Sequence, residues 1–480
     1  MTTTLVLFAS YLVLTVAIGL WASRKNRDDQ EDFFLAGRQL SPFAMALSAV
    51  SSGRSAWLVV GASGLAWLHG VSALWVFPGY IVAEALMFVG VGPRLRARSI
   101  EVGALTVSEV FERLPLGPRG PGTSRLPLRQ LTGAVIVLFL LTYVSAQLVA
   151  GGKTLGAVFP EVDGNTTGLI LTAGIVLVYT WLGGYRAVVL TDVIQACLML
   201  VGIVFLPVLG LYSLGGFDAL RDSLAAIDPQ LLELSRGWPS LLGGLAIGFG
   251  SFGNPHILVR HMSLGDPTRA RAALGYGTFW NVVMAVGALM LGLVGRALYP
   301  ELSDLGEGGR EVLYPRLGED LSAQYLFPGF VGFLLATLFA AIMSTCDSQL
   351  LVIASSLLRD LGPARSEGSQ SGGLKASRLA VLATLVLAVV LTFGENQLVN
   401  NLVLLSWFAL GIGLGPALVV LLYDARTTAV GVLVGVLTGV LGIVGTWLLF
   451  LRGTGGHISW EGGVVFLVAA AATLALRSRK

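Results

Sequence analysis

Residues 41–69 read SPFAMALSAVSSGRSAWLVVGASGLAWLH, an apolar stretch long enough to cross a lipid bilayer but interrupted at its centre by an arginine. A membrane-spanning α-helix needs about 20 apolar residues, and an ionised side chain at the bilayer centre costs about 3 kcal/mol or more. Arg54 is flanked by Gly53 and by serines, with further glycines at positions 61 and 64. This pattern does not suit a helix that faces lipid. It indicates a broken helix whose freed backbone carbonyl groups line a cavity.

The composition of the whole chain is that of an integral membrane protein. Of its 480 residues, 55% are hydrophobic and 12% are charged, whereas soluble proteins carry about 25% charged residues. Both cysteines, Cys197 and Cys346, lie inside apolar runs, so neither a disulfide framework nor a metal framework is indicated. The basic residues lie at the ends of apolar segments, and we therefore expect no nucleic-acid partner.

We predict an all-α integral membrane protein with about thirteen transmembrane helices. Their ranges are 5–22, 41–69, 73–92, 130–158, 166–183, 188–214, 238–258, 272–298, 326–357, 377–394, 398–423, 428–450 and 459–476. Most of the Lys and Arg residues, Arg260 among them, then fall in loops on one side of the membrane. By the positive-inside rule that side is the cytoplasm, which places the N-terminus outside the cell and the C-terminus in the cytoplasm.

A second interrupted stretch, GFGSFGNPH at residues 248–256, lies in the seventh predicted span. The two interrupted spans are five apart, and because five is odd, two halves of five spans each have opposite orientations. Paired interruptions in corresponding spans of two inverted halves point to the binding site of a transporter. Taken singly, either interruption is also explained by a glycine or proline kink that neighbouring helices tolerate.

Two carboxylates, Asp192 and Asp347, lie within predicted spans, where ionisable groups are functional by default. One helix face beside Asp347 carries Ala341, Ser344, Thr345 and Ser348. Hydroxyl groups together with a carboxylate offer hard oxygen ligands, which suit an alkali cation rather than a transition metal. Hydrogen bonding of these hydroxyl groups to neighbouring helices is the alternative explanation.

Two motifs carry a resemblance to a known family, FGNPHILVRHM at residues 252–262 and STCDSQLL at residues 344–351. From residue 32 to about residue 423, the chain resembles the sodium/solute symporter family, and most nearly its sodium/proline branch. The resemblance implies thirteen spans with a LeuT-like core, in which a five-helix repeat occurs twice in opposite orientations. The chain would then divide into a first helix and loop (1–40), two five-helix repeats (41–215 and 216–425) and two C-terminal helices (426–480).

The resemblance also implies which residues form the sites. The ligands of the principal sodium site would be the backbone carbonyls of Ser51 and Arg54 with Ala341, Ser344 and Thr345. Those of a second sodium site, present in some members, would be Asp192, Ser344, Asp347 and Ser348. The solute-binding positions fall on Ser55, Trp57, Tyr143, Gln147, Ile247, Ser251, Phe252 and Asn254, to which we add Arg54. Proline transporters of the family carry aspartate and methionine where this chain has Gly53 and Arg54, and tryptophan and tyrosine where it has Ile247 and Ser251.

Arg54 admits two interpretations. Its guanidinium group either binds a carboxylate of the solute or pairs with Asp347 or Asp192 as a fixed cation that weakens the need for one sodium ion. An unpaired arginine within the membrane is costly, which favours the ion pair. Glu84, which also lies within a span, is expected to make a structural contact to a neighbouring helix.

We therefore expect a sodium-coupled symporter, and not an enzyme, that imports a small organic solute by alternating access across a bacterial cell (inner) membrane. The solute would be an amino acid such as proline, or a related carboxylate. The partners would be this solute, the sodium ion (Na+) as cofactor and the lipid bilayer, and a monomer would suffice. The alternatives are a sodium-independent or proton-coupled transporter in which Arg54 replaces a sodium ion, a channel, and a membrane sensor.

Overall fold

The computed structural model describes residues 2–23, 30–117, 120–122, 125–164, 166–235, 237–305, 309–362, 373–393, 399–451 and 461–478. Over these residues the chain is almost entirely helical, apart from a small hairpin of β1 (Leu116–Gly117) and β2 (Gly120–Pro121). The helices are α1 (Thr2–Ser23), α2 (Gln30–Leu35), α3 (Pro42–Ala56), α4 (Ser63–His69), α5 (Val76–Leu86), α6 (Gly92–Glu101), α7 (Val107–Arg113), α8 (Leu128–Val158), α9 (Thr167–Leu214), α10 (Phe217–Ile227), α11 (Trp238–Ala246), α12 (Pro255–Met262), α13 (Ala270–Leu298), α14 (Leu313–Tyr325), α15 (Val331–Ser355), α16 (Gly373–Thr392), α17 (Val399–Tyr423), α18 (Ala429–Thr446) and α19 (Glu461–Ala475).

Helices lie at each of the thirteen predicted spans. Eight segments of the described residues are long and apolar enough to cross a membrane, and one of them, residues 42–101, contains two predicted spans. Four further apolar helices are shorter. The predicted spans 166–183 and 188–214 form one helix, α9, that is bent at Gly184, where φ is +62°. The prediction of an all-α protein with about thirteen spanning helices is therefore confirmed.

Both predicted helix interruptions are present. In the first, α3 ends around Ser55, whose φ of +47° is outside the helical region, and a π-helical turn (Trp57–Ala62) leads into α4. In the second, α11 passes into a 3-10 turn (Ile247–Phe252), and α12 begins after Asn254. Pro255 suits the first turn of α12 because no helical hydrogen bond is needed from its nitrogen. The division into two five-helix repeats stays a prediction.

Helix α15 lies at the centre of the bundle. It packs against α1, α3, α8 and α9. In its most apolar stretch 94% of the residues are buried inside the protein, compared with 28% in the corresponding stretches of α1 and α18. A span so enclosed by protein can carry serine, threonine and aspartate side chains without exposing them to lipid. The hydroxyl-rich face of α15 is therefore an interior surface.

Glycines bring the second interrupted helix into close contact with its neighbours. A Cβ atom on Gly248 would lie 2.1 Å from the carbonyl oxygen of Gly79 in α5. One on Gly250 would lie 1.7 Å from Nε1 of Trp407 in α17. Small residues of this kind allow helix backbones to approach each other in membranes. They hold the interruption between α5 and α17, next to the first interruption.

Candidate functional site

The break in α3 is supported by two polar side chains of α8. The break frees the backbone N–H group of Ala56, which donates a hydrogen bond to Oε1 of Gln147 (3.0 Å). The hydroxyl group of Tyr143 donates to Oγ of Ser55 (3.2 Å), and the N–H group of Trp57 donates to the same oxygen (3.1 Å). A positive φ costs a residue with a side chain about 1–3 kcal/mol. These hydrogen bonds help to offset that cost at Ser55.

The hydroxyl face of α15 meets α3 immediately before the break. The hydroxyl group of Thr345 lies 3.1 Å from the carbonyl oxygen of Ser52 and 3.1 Å from that of Ala341, and these two acceptors share its one hydrogen. Oγ of Ser344 donates to the carbonyl oxygen of Ala341 (3.2 Å), and Oγ of Ser52 donates to the carbonyl oxygen of Ser344 (2.5 Å). All of these groups are buried. The crossing of α3 and α15 is therefore rich in hydroxyl and carbonyl oxygens, which are ligands for an alkali cation.

The two predicted carbonyl ligands in α3, Ser51 and Arg54, lie one residue before and two residues after Ser52, which contacts α15. The carbonyl oxygen of Arg54 accepts a hydrogen bond from the N–H group of Trp57 across the break. Ser51 is fully buried one turn before the break, and its own hydroxyl group donates to the carbonyl oxygen of Ser48 (3.2 Å). The structure thus brings together the segments that carry the five residues of the predicted principal sodium site.

Asp192 forms an ion pair that the sequence analysis did not predict. Its Oδ2 lies 2.8 Å from Nη2 of Arg260 and accepts a hydrogen bond from Oγ of Ser48 (2.5 Å). The Arg260 guanidinium also donates to Oγ of Ser48 (2.7 Å) and to Oγ of Ser52 (2.5 Å). Asp192 and Arg260 are both fully buried. The placement of Arg260 in a cytoplasmic loop was wrong, because α12 continues to Met262 inside the bundle.

The predicted second sodium site is partly assembled around Ser52. Oγ of Ser348 lies 3.5 Å from Oγ of Ser52, which is itself 3.5 Å from Oδ2 of Asp192. Ser344 contacts Ser52 through its carbonyl group. Asp347 accepts a hydrogen bond from the N–H group of Ser348 (2.5 Å). The Arg260 guanidinium supplies a positive charge at this position, and the assignment of a sodium ion to these residues stays a prediction.

Arg54 pairs with Glu84 of α5, and the expectation that it pairs with Asp347 or Asp192 was wrong. Nη2 of Arg54 contacts Oε1 of Glu84, and Nε donates to Oδ1 of Asn281 in α13 (2.9 Å). The physical reason lies in the geometry of α3. Arg54 follows Ser52 by two residues, and side chains two apart on a helix project in nearly opposite directions. Since Ser52 faces Asp192, Arg54 faces α5 and α13. The expected contact of Glu84 with a neighbouring helix is therefore present.

A narrow cavity lies beside the break, and the empty space between its wall residues, about 250 Å³, includes space that is open to solvent. Its wall consists of Gly53, Arg54, Trp57, Tyr143, Ile247, Val403, Leu404 and Trp407. Four of the predicted solute-binding residues are in this wall. The three residues from α17 were missed, because apolar side chains in an apolar span carry no signal of a binding site. Trp407 closes one side of the cavity. Its indole N–H group donates a hydrogen bond to the carbonyl oxygen of Ile247 (2.9 Å), which fixes the orientation of the ring.

The other predicted solute-binding residues surround the two breaks. Nε2 of Gln147, Oγ of Ser251 and Oδ1 of Asn254 are buried and have no hydrogen-bond partner among the described residues. Nδ2 of Asn254 donates to the carbonyl oxygens of Gly250 (2.6 Å) and Trp407 (3.2 Å). Phe252 is outside the cavity wall and lies against Phe466 of α19, at 5.9 Å between ring centroids.

A helical bundle in which two interrupted helices enclose a cavity, next to a crossing rich in oxygen ligands, defines a cation-coupled secondary transporter. The model of the sodium:solute symporter family matches residues 33–439. The chain belongs to this family, and it is a sodium-coupled solute symporter in a multi-pass membrane protein fold. Family membership confirms the predicted family and favours a transporter over the channel and sensor alternatives.

The similar proteins agree with this assignment. Sodium/proline symporters from Staphylococcus aureus, among them those of strains JH9 and NCTC 8325, are 32% identical over 460 residues, which is 94% of this chain and 86% of theirs. A substrate-bound, outward-open Na+-coupled sialic acid symporter has a TM-score of 0.77 at 18% identity, over 98% of this chain and 97% of that one. MhsT in complex with L-phenylalanine has a TM-score of 0.54 at 16% identity, over 91% of this chain and 99% of that one. The structural similarities confirm the predicted LeuT-like fold.

Proposed function

We propose that the chain imports a small amino acid or a related carboxylate together with sodium, and that sodium binds at the crossing of α3 and α15. The observation that carries the proposal is the contact of Thr345 with the backbone of Ser52, next to the break at Ser55. Sodium would be held by the carbonyls of Ser51, Arg54 and Ala341 and by the hydroxyls of Ser344 and Thr345. The hydroxyl groups that donate hydrogen bonds to carbonyl groups in this structure also have lone pairs on their oxygens, and these lone pairs can bind a cation.

Sodium at this position would couple to the solute through the break. The crossing at Ser52 is followed directly in α3 by Gly53 and Arg54 of the cavity wall, so an ion that orders the break also orders this wall. Sodium that binds one conformation of the bundle more tightly than the other shifts the population toward that conformation. By linkage, sodium raises the affinity for the solute, and the solute raises the affinity for sodium by the same factor. An inside-negative potential of 100 mV contributes about 2.3 kcal/mol per sodium ion.

The cavity favours a small solute with an apolar body. Trp57, Ile247 and Trp407 provide apolar walls, and the buried, unpartnered Nε2 of Gln147 offers a hydrogen-bond donor near the break. A compact amino acid with a carboxylate and a short apolar side chain matches the chemistry of these walls. Because relatives at 32% identity are sodium/proline symporters, L-proline is the first solute to test.

We further propose that the protein lies in a bacterial cell membrane with its N-terminus outside and its C-terminus in the cytoplasm, and that a monomer is the transporting unit. The excess of Lys and Arg in alternate loops supports the orientation.

Uptake into proteoliposomes tests the proposal. We expect L-proline, or another amino acid from a panel, to accumulate with an inward sodium gradient and not with an equal potassium gradient. Thr345→Ala should raise the half-saturating sodium concentration about tenfold or more, because a lost interaction with a charged partner costs about 1.5–3 kcal/mol. Thr142→Ala is the matched control, since among the described residues the hydroxyl group of Thr142 donates to the carbonyl oxygen of Leu138 in its own helix and to no other group. Equal uptake in sodium and potassium would contradict the proposal.

A further inference from the structure

The Arg54 guanidinium occupies a buried polar position that the sodium and solute sites do not account for. Besides its contact with Glu84 and its hydrogen bond to Asn281, it lies 3.7 Å above the ring centroid of Tyr80. Nδ2 of Asn281 donates to Oε2 of Glu84 (2.6 Å). Arg54, Glu84 and Asn281 are 1%, 3% and 1% exposed, respectively. Three different helices, α3, α5 and α13, therefore meet at one buried ion pair.

The oxygens around the guanidinium are those that a metal cation would take. The carboxylate of Glu84 and Oδ1 of Asn281 form what we call the cation seat. Carboxylate and amide oxygens are hard ligands, which suit alkali and alkaline-earth cations. A carboxylate buried without a positive partner is strongly unfavourable. The cation seat therefore requires a cation, and the side chain of Arg54 provides it.

Arg54 also belongs to the cavity wall. Among the described residues its hydrogen bonds are made by Nε and Nη2 and not by Nη1. Nη1 therefore remains as a charged donor for a solute that enters beside Arg54. A solute carboxylate bound to Nη1 and the carboxylate of Glu84 would then both contact the guanidinium group, in the same way that two carboxylates can bind one metal ion.

Gly53 lies next to the cation seat. A Cβ atom on Gly53 would lie 3.3 Å from Cδ1 of Ile257 and 3.4 Å from Oε1 of Glu84. A carboxylate side chain at this position would therefore lie beside that of Glu84 and repel it. Without one, the single carboxylate of Glu84 and the guanidinium group of Arg54 balance each other.

We propose that Arg54 is a tethered cation that takes the place of a second sodium ion beside the solute, so that a single sodium ion accompanies each solute. The proposal rests on the proposed function in one respect, namely that the solute occupies the cavity next to Arg54. It explains why an arginine and a glutamate are buried at the first break. It also identifies the solute group nearest Nη1 as an anionic one.

Equilibrium binding of radioactive sodium to the purified protein, without solute, tests the proposal. The guanidinium group of Arg260 already neutralises Asp192, so we expect about one sodium ion per wild-type chain, bound at the crossing of α3 and α15. Arg54→Ala opens the cation seat and should raise the number to about two. The double variant Arg54→Met/Glu84→Gln removes both charges and should return it to about one. In proteoliposomes with L-proline, or with the solute identified by the uptake panel, the Hill coefficient for sodium should rise from about one to about two in Arg54→Ala alone.

Two results would overturn the proposal. One is a wild-type chain that binds two sodium ions, and this measurement decides the matter even if Arg54→Ala does not fold. The other is a folded Arg54→Ala protein that still binds one ion, which would make the guanidinium purely structural. Failure of the proposed function would give a different result, because the Thr345→Ala variant would then bind sodium as tightly as the wild-type protein does.

Discussion

Removal of the Asp192 carboxylate should destabilise the protein more than any loss of a surface ion pair. Asp192→Asn keeps the shape of the side chain but leaves the Arg260 guanidinium as a fully buried charge without its counterion. Breaking a buried ion pair from one side costs about 3–5 kcal/mol. At 1.4 kcal/mol per tenfold, the unfolded population should rise about a hundredfold to several thousandfold. The compensated variant Asp192→Asn/Arg260→Met, which buries no charge, should recover most of this loss.

The chain provides its own reporter for this measurement. Cys346 is fully buried in α15, whereas Cys197 is exposed, and the sequence contains two cysteines. In a Cys197→Ser background, a thiol-reactive fluorescent dye therefore reports the exposure of Cys346 as the protein is heated in detergent. The apparent midpoint should fall for Asp192→Asn and return for the double variant.

Asp222→Asn is the matched control. It removes a carboxylate that lies 3.1 Å from Arg221, in a pair whose side chains are 66% and 69% exposed. Exposed pairs contribute about 1 kcal/mol or less. If Asp192→Asn lowers the midpoint no more than Asp222→Asn does, or if the double variant is as unstable as Asp192→Asn alone, the role assigned to the buried pair is incorrect.

Three further outcomes follow from the packing around the breaks. Gln147→Leu should reduce solute uptake about fivefold to a hundredfold, measured at saturating sodium, because the N–H group of Ala56 then loses its acceptor at a cost of about 1–3 kcal/mol. Gly250→Ala should abolish folding, because the new Cβ atom would lie 1.7 Å from Nε1 of Trp407. The measurement is the loss of a monodisperse peak in size-exclusion chromatography. Gly275→Ala is the control and should be tolerated, because its new Cβ atom would meet nothing within 4 Å. Trp407→Ala should raise the half-saturating solute concentration and leave that of sodium nearly unchanged, whereas an equal change in both would contradict the separation of the two sites.

Local patterns in the sequence were sufficient for the membrane spans and for the positions of both breaks. Hydropathy over about 20 residues reports whether a helix can cross the bilayer, whatever it packs against. Gly53, Pro255 and the serines around Arg54 disfavour a regular helix by their own chemistry. The hydroxyl face of α15 was also visible, because residues three and four apart share a helix face.

The pairing of the buried charges could not be predicted in the same way. Arg54, Glu84, Asp192 and Arg260 are spread over 207 positions of the chain (260 minus 54 is 206, with both ends counted). By charge alone, each arginine has three candidate carboxylates within the spans, Glu84, Asp192 and Asp347. The rotation of α3 about its axis, which directs Ser52 toward Asp192 and Arg54 toward Glu84, selects the partners.

The sequence by itself therefore determined that the chain is a helical membrane protein with two interrupted spans and an oxygen-rich face, since these features depend on residues close together along the chain. Only the tertiary structure decided which groups neutralise one another and which apolar residues of α17 enclose the cavity. The physical reason is that the energy of a buried charge depends on its nearest counterion in space, and the sequence does not specify the rotation and contacts of the helices that place it there.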